Sequence, residues 1–280
     1  HTNSRLDWIR TMNVMPLLFY IAATVAYGIY FASRSRPAGR LATGALIAAA
    51  ITHTFVIGMQ TMQTGYLPGV STTGAISAFV WLLALAYLYT ELTTDERSMG
   101  VFITPLLAIL QLLPTITSEV TTRPAILQNP LFTVLVSSLL FAYASFALAC
   151  VIGVTYVLLF KEIKTKELGF FYARLPSLQV LDVMNVRAVT VGWIFLTIGV
   201  AVGWFWANQA TSQAATDPRL QAMSFFDPKI FAATLCWLVY SFELLARRTI
   251  GWRGRRSAWL STIGCTIVLL NFVPGGYFLT

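Results

Sequence analysis

The sequence predicts an all-α integral membrane protein, a bundle of about eight transmembrane helices. Of its 280 residues, 57% are hydrophobic and 11% are Asp, Glu, Lys or Arg, whereas a soluble domain usually has about 25% charged residues. The mean hydropathy is +0.70. Mostly apolar stretches recur along the whole chain, and a helix needs about 20 such residues to cross the hydrocarbon with its backbone paired. The surroundings of this chain are therefore predicted to be lipid.

Eight apolar stretches, separated by polar joints, account for the predicted spans. In chain order they are residues 15–32, 41–60, 75–89, 101–117, 131–160, 188–208, 230–246 and 258–279. The third and fourth are short, and the fifth is long enough to tilt or to continue into water. The other five have lengths near that of a single crossing. Because the joints hold no soluble domain, residues 1–280 are predicted to form a single polytopic membrane domain.

Lysine and arginine are distributed unevenly among the joints, which predicts the orientation of the chain. The joints after the first, third, fifth and seventh stretches contain 14 of the 19 Lys and Arg. Short loops rich in these residues face the cytoplasm. An even number of spans then puts both termini on the outer, periplasmic side of the cell inner (plasma) membrane. This topology explains the net charge of +8, so no nucleic-acid partner is predicted.

Two joints are long enough to have a role of their own. The cytoplasmic joint, residues 161–187, combines a basic run with an apolar stretch at 168–181, which predicts a helix lying in the membrane interface. The outer joint, residues 209–229, closes with two phenylalanines followed by Asp227 and Pro228. We expect Pro228 to begin the seventh helix with Asp227 near its N-cap, where a carboxylate complements the helix dipole.

His53 lies in the middle of the second stretch and is the only histidine besides His1. Ionisable residues inside a membrane are costly and are therefore candidates for function. A neutral imidazole there can ligate haem iron, relay a proton, or hydrogen-bond a neighbouring helix as a structural residue, and these roles stay open. With no second internal histidine, an axial partner would be a methionine such as Met59 or Met62, water, or another subunit. His53 is thus a candidate haem ligand and the one candidate metal ligand.

The other polar residues within the stretches are expected to be structural. Glu243 precedes Arg247 by one helical turn, a spacing that predicts a neutralising ion pair. Gln111 and Asn271 are expected to form hydrogen bonds between helices. The sequence has no Ser-His-Asp arrangement, phosphate-binding glycine loop or carboxylate pair, and its three cysteines have no metal or redox spacing. No catalytic residue is predicted.

Aromatic residues are concentrated in the sixth and seventh stretches and the joint between them. They are Trp193, Trp204, Trp206, Phe225, Phe226, Phe231 and Trp237. Such residues commonly form the belt that anchors a protein at the membrane surface. They could instead form a flat apolar platform on which a planar ligand, such as a porphyrin or a quinone, would stack. The candidate platform consists of Trp204, Trp206, Phe225 and Phe226, with Asp227 beside them.

A series of short motifs follows a fixed order through most of the chain. The motifs are HT (53–54), GYLP (65–68), FVW (79–81), GVFITP (100–105), LPSLQVLD (175–182), VGWIFLTIG (191–199), GWFWAN (203–208), FDPK (226–229), WLVY (237–240) and GWRGRR (251–256). Any one of them alone is a weak signal, whereas the ordered series is specific. It resembles the CcsA/CcmC/HemX group of cytochrome c assembly membrane proteins.

The resemblance implies a membrane bundle that holds haem near its outer face for delivery to apocytochrome c, with histidines as iron ligands and a tryptophan-rich loop as platform. His53 stands at a position similar to that of the family's intramembrane histidine. The family's other histidines have no counterpart at Leu131 or Phe132, near Leu245, or in residues 275–278, and the central tryptophans of the loop are missing. The resemblance therefore implies a divergent member that lacks most haem-ligand histidines.

The sequence favours a haem-handling or accessory role in cytochrome biogenesis. Haem is the implied cofactor, and the expected partners are the lipid bilayer and other membrane subunits or cytochrome c assembly components. The alternative is a non-catalytic scaffold subunit of a larger respiratory or photosynthetic membrane complex, because axial ligands largely determine haem binding and most of them are missing. A transporter is a third, weaker hypothesis, since the stretches lack broken helices and midplane charges.

Overall fold

Helices make up almost all of the structure. The computed structural model describes residues 2–65, 72–117, 130–166, 169–213 and 228–272. Within these ranges the chain forms α1 Thr2–Ser33, α2 Arg36–Thr64, α3 Thr72–Thr94, α4 Gly100–Ile116, α5 Pro130–Thr165, α6 Phe170–Arg174, α7 Leu178–Gln213, α8 Pro228–Thr249 and α9 Arg255–Phe272. Five of these helices are long and apolar enough to cross a membrane, and α4 is a shorter apolar helix. The chain is therefore a helical membrane protein.

Each predicted stretch coincides with one helix of the structure. The first five stretches overlap α1 to α5, and the last three overlap α7 to α9. The long fifth stretch does continue, because α5 extends to Thr165 and has 36 residues. Over the described residues, α8 and α9 are not among the five helices with the length and hydropathy of a span. The total of eight spans and the outer location of both termini stay predictions.

The prediction of one interfacial helix over residues 168–181 is wrong, because two helices share this range. The described part of that joint contains the five-residue α6, a break, and then α7, which begins at Leu178 instead of residue 188. Pro176 explains the break, because proline has no N–H and disfavours the helical conformation in the residue before it. Ser177 then begins α7: its Oγ accepts a hydrogen bond from the Val180 N–H at 3.4 Å, as an N-cap residue does.

Apart from the short α6, the described helices pack as two groups of four. Helices α1 to α4 contact one another and form the first half of the molecule, and α5, α7, α8 and α9 form the second half. Helix α3 packs on both α5 and α7 and joins the halves. The largest fully buried side chains include Tyr20, Tyr27 and Tyr87 in the first half and Phe146 and Tyr240 in the second. Each half therefore has an aromatic core of its own.

Glycine allows close approaches between helices in each half. A Cβ at Gly192 of α7 would lie 2.5 Å from the ring of Phe146 on α5, and these helices form the most extensive pair in the structure. A Cβ at Gly100 of α4 would clash with the ring of Tyr27 on α1. Small residues let membrane helices approach closely, so these two glycines position the aromatic cores.

Candidate functional site

His53 lies on the inward-facing side of α2. The buried residues of this helix recur every three or four positions: Gly39, Ala42, Thr43, Leu46, Ala49, Ala50, His53, Val56, Ile57 and Gln60. This spacing is that of one face of an α-helix. The pattern puts the imidazole between α2 and its neighbours, and the side chain is fully buried.

Both ring nitrogens of His53 are hydrogen-bonded to other helices. The Nδ1 atom lies 2.9 Å from the phenol oxygen of Tyr20 on α1, and Nε2 lies 2.9 Å from the Oγ of Ser77 on α3. The Tyr20 and His53 rings meet edge to face, with centroids 5.7 Å apart. Either tautomer satisfies both bonds, because each hydroxyl can donate or accept. His53 therefore links the first three helices of the first half.

The surroundings of His53 are those of a structural histidine. A nitrogen that ligates iron needs a free lone pair or must exchange a bond for it, and here both nitrogens are engaged. Neither methionine named as an axial partner belongs to the buried face of α2, and Met62 is 84% exposed. Across the described ranges, no three His, Cys, Asp or Glu side chains come together as a metal set. Haem ligation by His53 would therefore require one of its two hydrogen bonds to be exchanged, and it stays a prediction.

The candidate platform is only partly described. Phe225, Phe226 and Asp227 lie outside the described residues. On α7, Trp204 is 48% exposed whereas Trp206 is 6% exposed, as expected of residues two apart on a helix, which point to different sides. The structure therefore does not bring these two indoles onto one surface. Helix α8 does begin at Pro228 as predicted.

Two other tryptophans of the aromatic group hold α7 and α8 together. Trp193 Nε1 donates to the Oγ of Ser241 at 2.7 Å, and Trp237 Nε1 donates to the Oγ1 of Thr197 at 2.9 Å. Their rings stack with centroids 6.4 Å apart. Each indole N–H thus finds a partner on the opposite helix, as a buried tryptophan usually requires. These two residues are interhelical links in this structure.

A buried carboxylate that sequence reasoning missed lies at the end of α3. Glu91 is 1% exposed. It accepts hydrogen bonds from the Tyr27 phenol at 2.6 Å and from the Thr43 hydroxyl at 2.5 Å. Arg97 Nε donates to the same Thr43 oxygen at 3.0 Å. Helices α1, α2 and α3 therefore meet around one carboxylate, with a guanidinium beside it.

A periodicity signal could have found Glu91. Leu83, Tyr87 and Glu91 follow one another at four-residue spacing, and the first two are fully buried. Because residues four apart lie on one helix face, Glu91 continues the inward face of α3. The predicted third span ended at residue 89, which assigned Glu91 to a polar joint and hid this continuity.

Glu243 is the corresponding buried carboxylate of the second half. It is 1% exposed on α8, and it accepts hydrogen bonds from the hydroxyls of Ser257 at 2.5 Å and Ser261 at 3.1 Å on α9. Asn185 Nδ2 of α7 donates to the Ser261 oxygen at 3.1 Å. Three helices again meet around one acid through side-chain hydroxyls.

The predicted ion pair between Glu243 and Arg247 is wrong. The guanidinium of Arg247 instead binds both carboxylate oxygens of Asp182 on α7, at 2.8 and 3.3 Å, and donates to Ser257. Asp182 also accepts a hydrogen bond from the Gly254 N–H at 3.0 Å. A two-point contact with a carboxylate matches the planar guanidinium geometry, which a residue one turn back on the same helix does not offer here. Ser257 therefore lies between the acid and the arginine.

The interhelical hydrogen bond predicted for Gln111 is also absent from the described part of the chain. Both polar atoms of this buried amide are without a partner there. Asn13 of α1 makes the amide contacts in this region: it donates to the Pro114 carbonyl at 3.2 Å and accepts from Gln60 at 3.2 Å. The side chain of Asn271 lies outside the described residues.

Comparison with known proteins agrees with the ordered motifs. Residues 11–274 match the family model described as Cytochrome C assembly protein. The chain belongs to this family. The matched range includes His53, Glu91 and Glu243.

Several curated relatives support the same assignment. The chain is similar to "Cytochrome c biogenesis protein CcsA" of Guillardia theta, with 24% identity over 97% of this chain and 94% of the relative. A protein of the same name from Trieres chinensis is 24% identical over 96% of this chain and 95% of the relative. The one from Heterosigma akashiwo (strain NIES-293 / 8280G21-1) is 28% identical over 69% of this chain and 68% of the relative.

Proposed function

We propose that this chain acts in the assembly of c-type cytochromes, as a membrane protein that handles haem or supports the components that do. The observation that carries the proposal is the family match over residues 11–274. Relatives named as cytochrome c biogenesis proteins align with nearly the whole chain, so the role is proposed for residues 1–280 as one membrane domain. Haem and the other components of cytochrome c assembly are the proposed ligand and partners.

The proposed topology has eight spans with both termini outside a cell inner membrane. Its support is the arginines in the turns after α1, α3 and α8, which are Arg34, Arg97 and Arg253. The turn after α3 also contains Asp95 and Glu96, but acids have little influence on orientation, so these turns would face the cytoplasm. Within each half these turns meet: Arg34 Nη1, after α1, donates to the Ser98 hydroxyl, just before α4, at 2.9 Å. In the second half the Gly254 N–H, before α9, bonds Asp182 near the start of α7.

His53 is the proposed haem ligand, and Trp204, Trp206, Phe225, Phe226 and Asp227 are the proposed platform. Support for His53 comes from its position on the buried face of α2 and from its being the only internal histidine. Binding iron would require His53 to exchange one of its two hydrogen bonds, either to Tyr20 or to Ser77. Ser77 therefore competes with any ligand for Nε2.

A haem titration with two matched variants tests this role. Purified chain in detergent is titrated with haemin, and the Soret absorbance is followed. We expect His53→Ala to lose the signal, and Ser77→Ala, which removes the competing hydroxyl and leaves the imidazole, to keep or strengthen it. Size-exclusion chromatography checks that both variants are folded. If added haemin shows the same Soret band with the wild-type chain as it shows in detergent alone, haem handling by this chain is wrong.

A scaffold subunit of a larger complex is the second candidate. The observation that favours it is the complete hydrogen bonding of His53 within the first half, which explains the histidine without haem. Purification of the tagged chain from its own membranes separates the candidates. A scaffold subunit would come with partner subunits in fixed stoichiometry, and His53→Ala would weaken the complex only through the stability of the chain itself.

A further inference from the structure

A basic cavity opens where α7 begins and α8 ends. It has a volume of about 880 Å³, and its charged lining consists of Asp182, Arg187, Arg247, Arg248 and Arg253. Four guanidinium groups face one carboxylate, so the cavity has an excess of positive charge. We call it the arginine cavity.

The arginines of this cavity differ in what they bind. Arg247 and Asp182 neutralise each other through their two-point contact. Arg187, Arg248 and Arg253 form no ion pair with any residue that the structure describes, and Nη1 of Arg187 is buried without a hydrogen-bond partner there. A buried charged N–H requires an acceptor, because leaving it unpaired costs free energy. An anion seated in the cavity would supply that acceptor.

The rest of the lining favours an anion attached to an apolar group. Leu178 and Gln179, which also line the cavity, belong to the first turn of the long helix α7, whose N-terminal dipole attracts negative charge. Tyr156, Val183 and Val186 contribute an apolar wall. A small hydrated anion would use the basic side of this cavity and leave that wall without a contact.

A second basic cavity at the ends of α1 to α4 lacks this combination. Its volume is about 440 Å³, and it is lined by arginines that include Arg34 and Arg97. Arg34 already donates to Ser98, and Arg97 contacts both Thr43 and Asp95. Two of its four arginines are therefore already engaged by the protein, and its lining has no counterpart of the apolar wall formed by Val183 and Val186.

We propose that the arginine cavity binds the phosphate headgroup of an anionic phospholipid, with the acyl end against its apolar wall. Basic pockets between transmembrane helices on the cytoplasmic side bind such headgroups, and the turn rich in arginine that borders this cavity is the side expected to face the cytoplasm. A phospholipid headgroup and free phosphate share the anionic oxygens that the arginines would bind. Only the lipid would also contact the apolar wall. This site is separate from the proposed haem ligand and does not depend on it.

The test is a calorimetric titration of the detergent-purified full chain. The probes are dihexanoyl phosphatidylglycerol below its micelle concentration, dihexanoyl phosphatidylcholine and inorganic phosphate. We expect phosphatidylglycerol to bind at least about tenfold more tightly than either of the other two. Each basic residue near a membrane surface contributes about a fivefold factor in lipid affinity. Arg187→Gln should therefore weaken binding about fivefold, and the double variant with Arg253→Gln about thirtyfold.

Lys164→Gln is the matched control, because Lys164 is exposed at the end of α5 and does not line the cavity. It should change the affinity by less than twofold. Wild-type affinity in the double variant would overturn the site, and equal affinity for phosphatidylcholine would overturn the role of charge. If inorganic phosphate bound as tightly as the lipid, the preference for a phospholipid would be wrong, and the cavity would be a site for a free anion.

Discussion

The two halves of the molecule differ in how completely their buried polar side chains are hydrogen-bonded. Each buries one carboxylate, Glu91 or Glu243, among hydroxyl groups of neighbouring helices. In each half an arginine donates to a hydroxyl group that itself donates to the carboxylate: Arg97 to Thr43, and Arg247 to Ser257. The first half also satisfies both nitrogens of its histidine.

The second half leaves more of its polar atoms unpaired. Among the described residues, buried polar atoms without a partner belong to Gln111 in the first half and to Ser145, Asn185, Arg187 and Tyr240 in the second. Because an unpaired buried polar atom destabilises the fold, such atoms are commonly explained by a ligand or partner. Most polar groups of the first half are therefore satisfied within the half itself, whereas the second half has more buried polar groups that could bind a ligand or a partner.

The largest expected effect comes from the ion pair between Arg247 and Asp182, which is mostly buried. The ion pair of the first half is more exposed. Arg247→Gln leaves Asp182 without its guanidinium, and removing one partner of a buried pair costs about 3–5 kcal/mol. Both side chains are less than one-fifth exposed. The measurement is the free energy of unfolding in detergent, or the yield of folded protein if the variant is too unstable to purify.

Arg97→Gln is the matched variant of the first half. Its ion-pair partner Asp95 is 85% exposed, and exposed pairs contribute only about 0–1 kcal/mol. We therefore expect Arg97→Gln to destabilise the protein much less than Arg247→Gln. Equal losses for the two variants would break the comparison between the halves.

The next effect concerns the closed hydrogen bonding of the first half. His53→Ala leaves the Tyr20 and Ser77 hydroxyls buried without their partner, and each unpaired group costs about 1–3 kcal/mol. Ser77→Ala leaves only the Nε2 atom of His53 without its partner and should cost about 1–3 kcal/mol, less than His53→Ala. Thermal unfolding of the two variants, compared with wild type, checks the order. A His53→Ala variant as stable as wild type would show that this histidine does not hold the first half together.

The last comparison is between two buried tyrosines, whose substitutions should change the free energy of unfolding in opposite directions. Tyr27 donates to Glu91, so Tyr27→Phe should lower the free energy of unfolding by about 1.5–3 kcal/mol, as expected for a bond to a charged group. Tyr240 Oη has no partner among the described residues, so Tyr240→Phe should raise it by about 1 kcal/mol. Stacking on Phe146, at a centroid distance of 3.7 Å, is kept by phenylalanine. Destabilisation by both variants would contradict the unpaired state of Tyr240.

Much of the fold follows from hydropathy alone, because the bilayer demands long apolar helices. All eight predicted stretches coincide with helices, and Pro228 begins α8. The start of α7 was misplaced because residues 178–187 are amphipathic and lie in a basic joint, so their charge hid their helicity. Proline chemistry alone places a helix boundary just before Pro176.

The polar contacts were harder to predict, since they depend on which helices meet. Spacing along α8 predicted a partner for Arg247 on the same helix, whereas Asp182 on α7 makes the better two-point contact. Glu91 was hidden by ending a span two residues early. No pattern within α2 alone identifies Tyr20 and Ser77 as the partners of His53, because they belong to α1 and α3.

The most direct test of the role in cytochrome c assembly is the amount of covalently haem-bound c-type cytochrome in cells that lack this chain. Membranes are separated under denaturing conditions and stained for haem, with and without the chain supplied from a plasmid. We predict that the haem-stained bands fall at least about tenfold without the chain and return with it. Unchanged bands in cells without the chain would contradict a role in cytochrome c assembly.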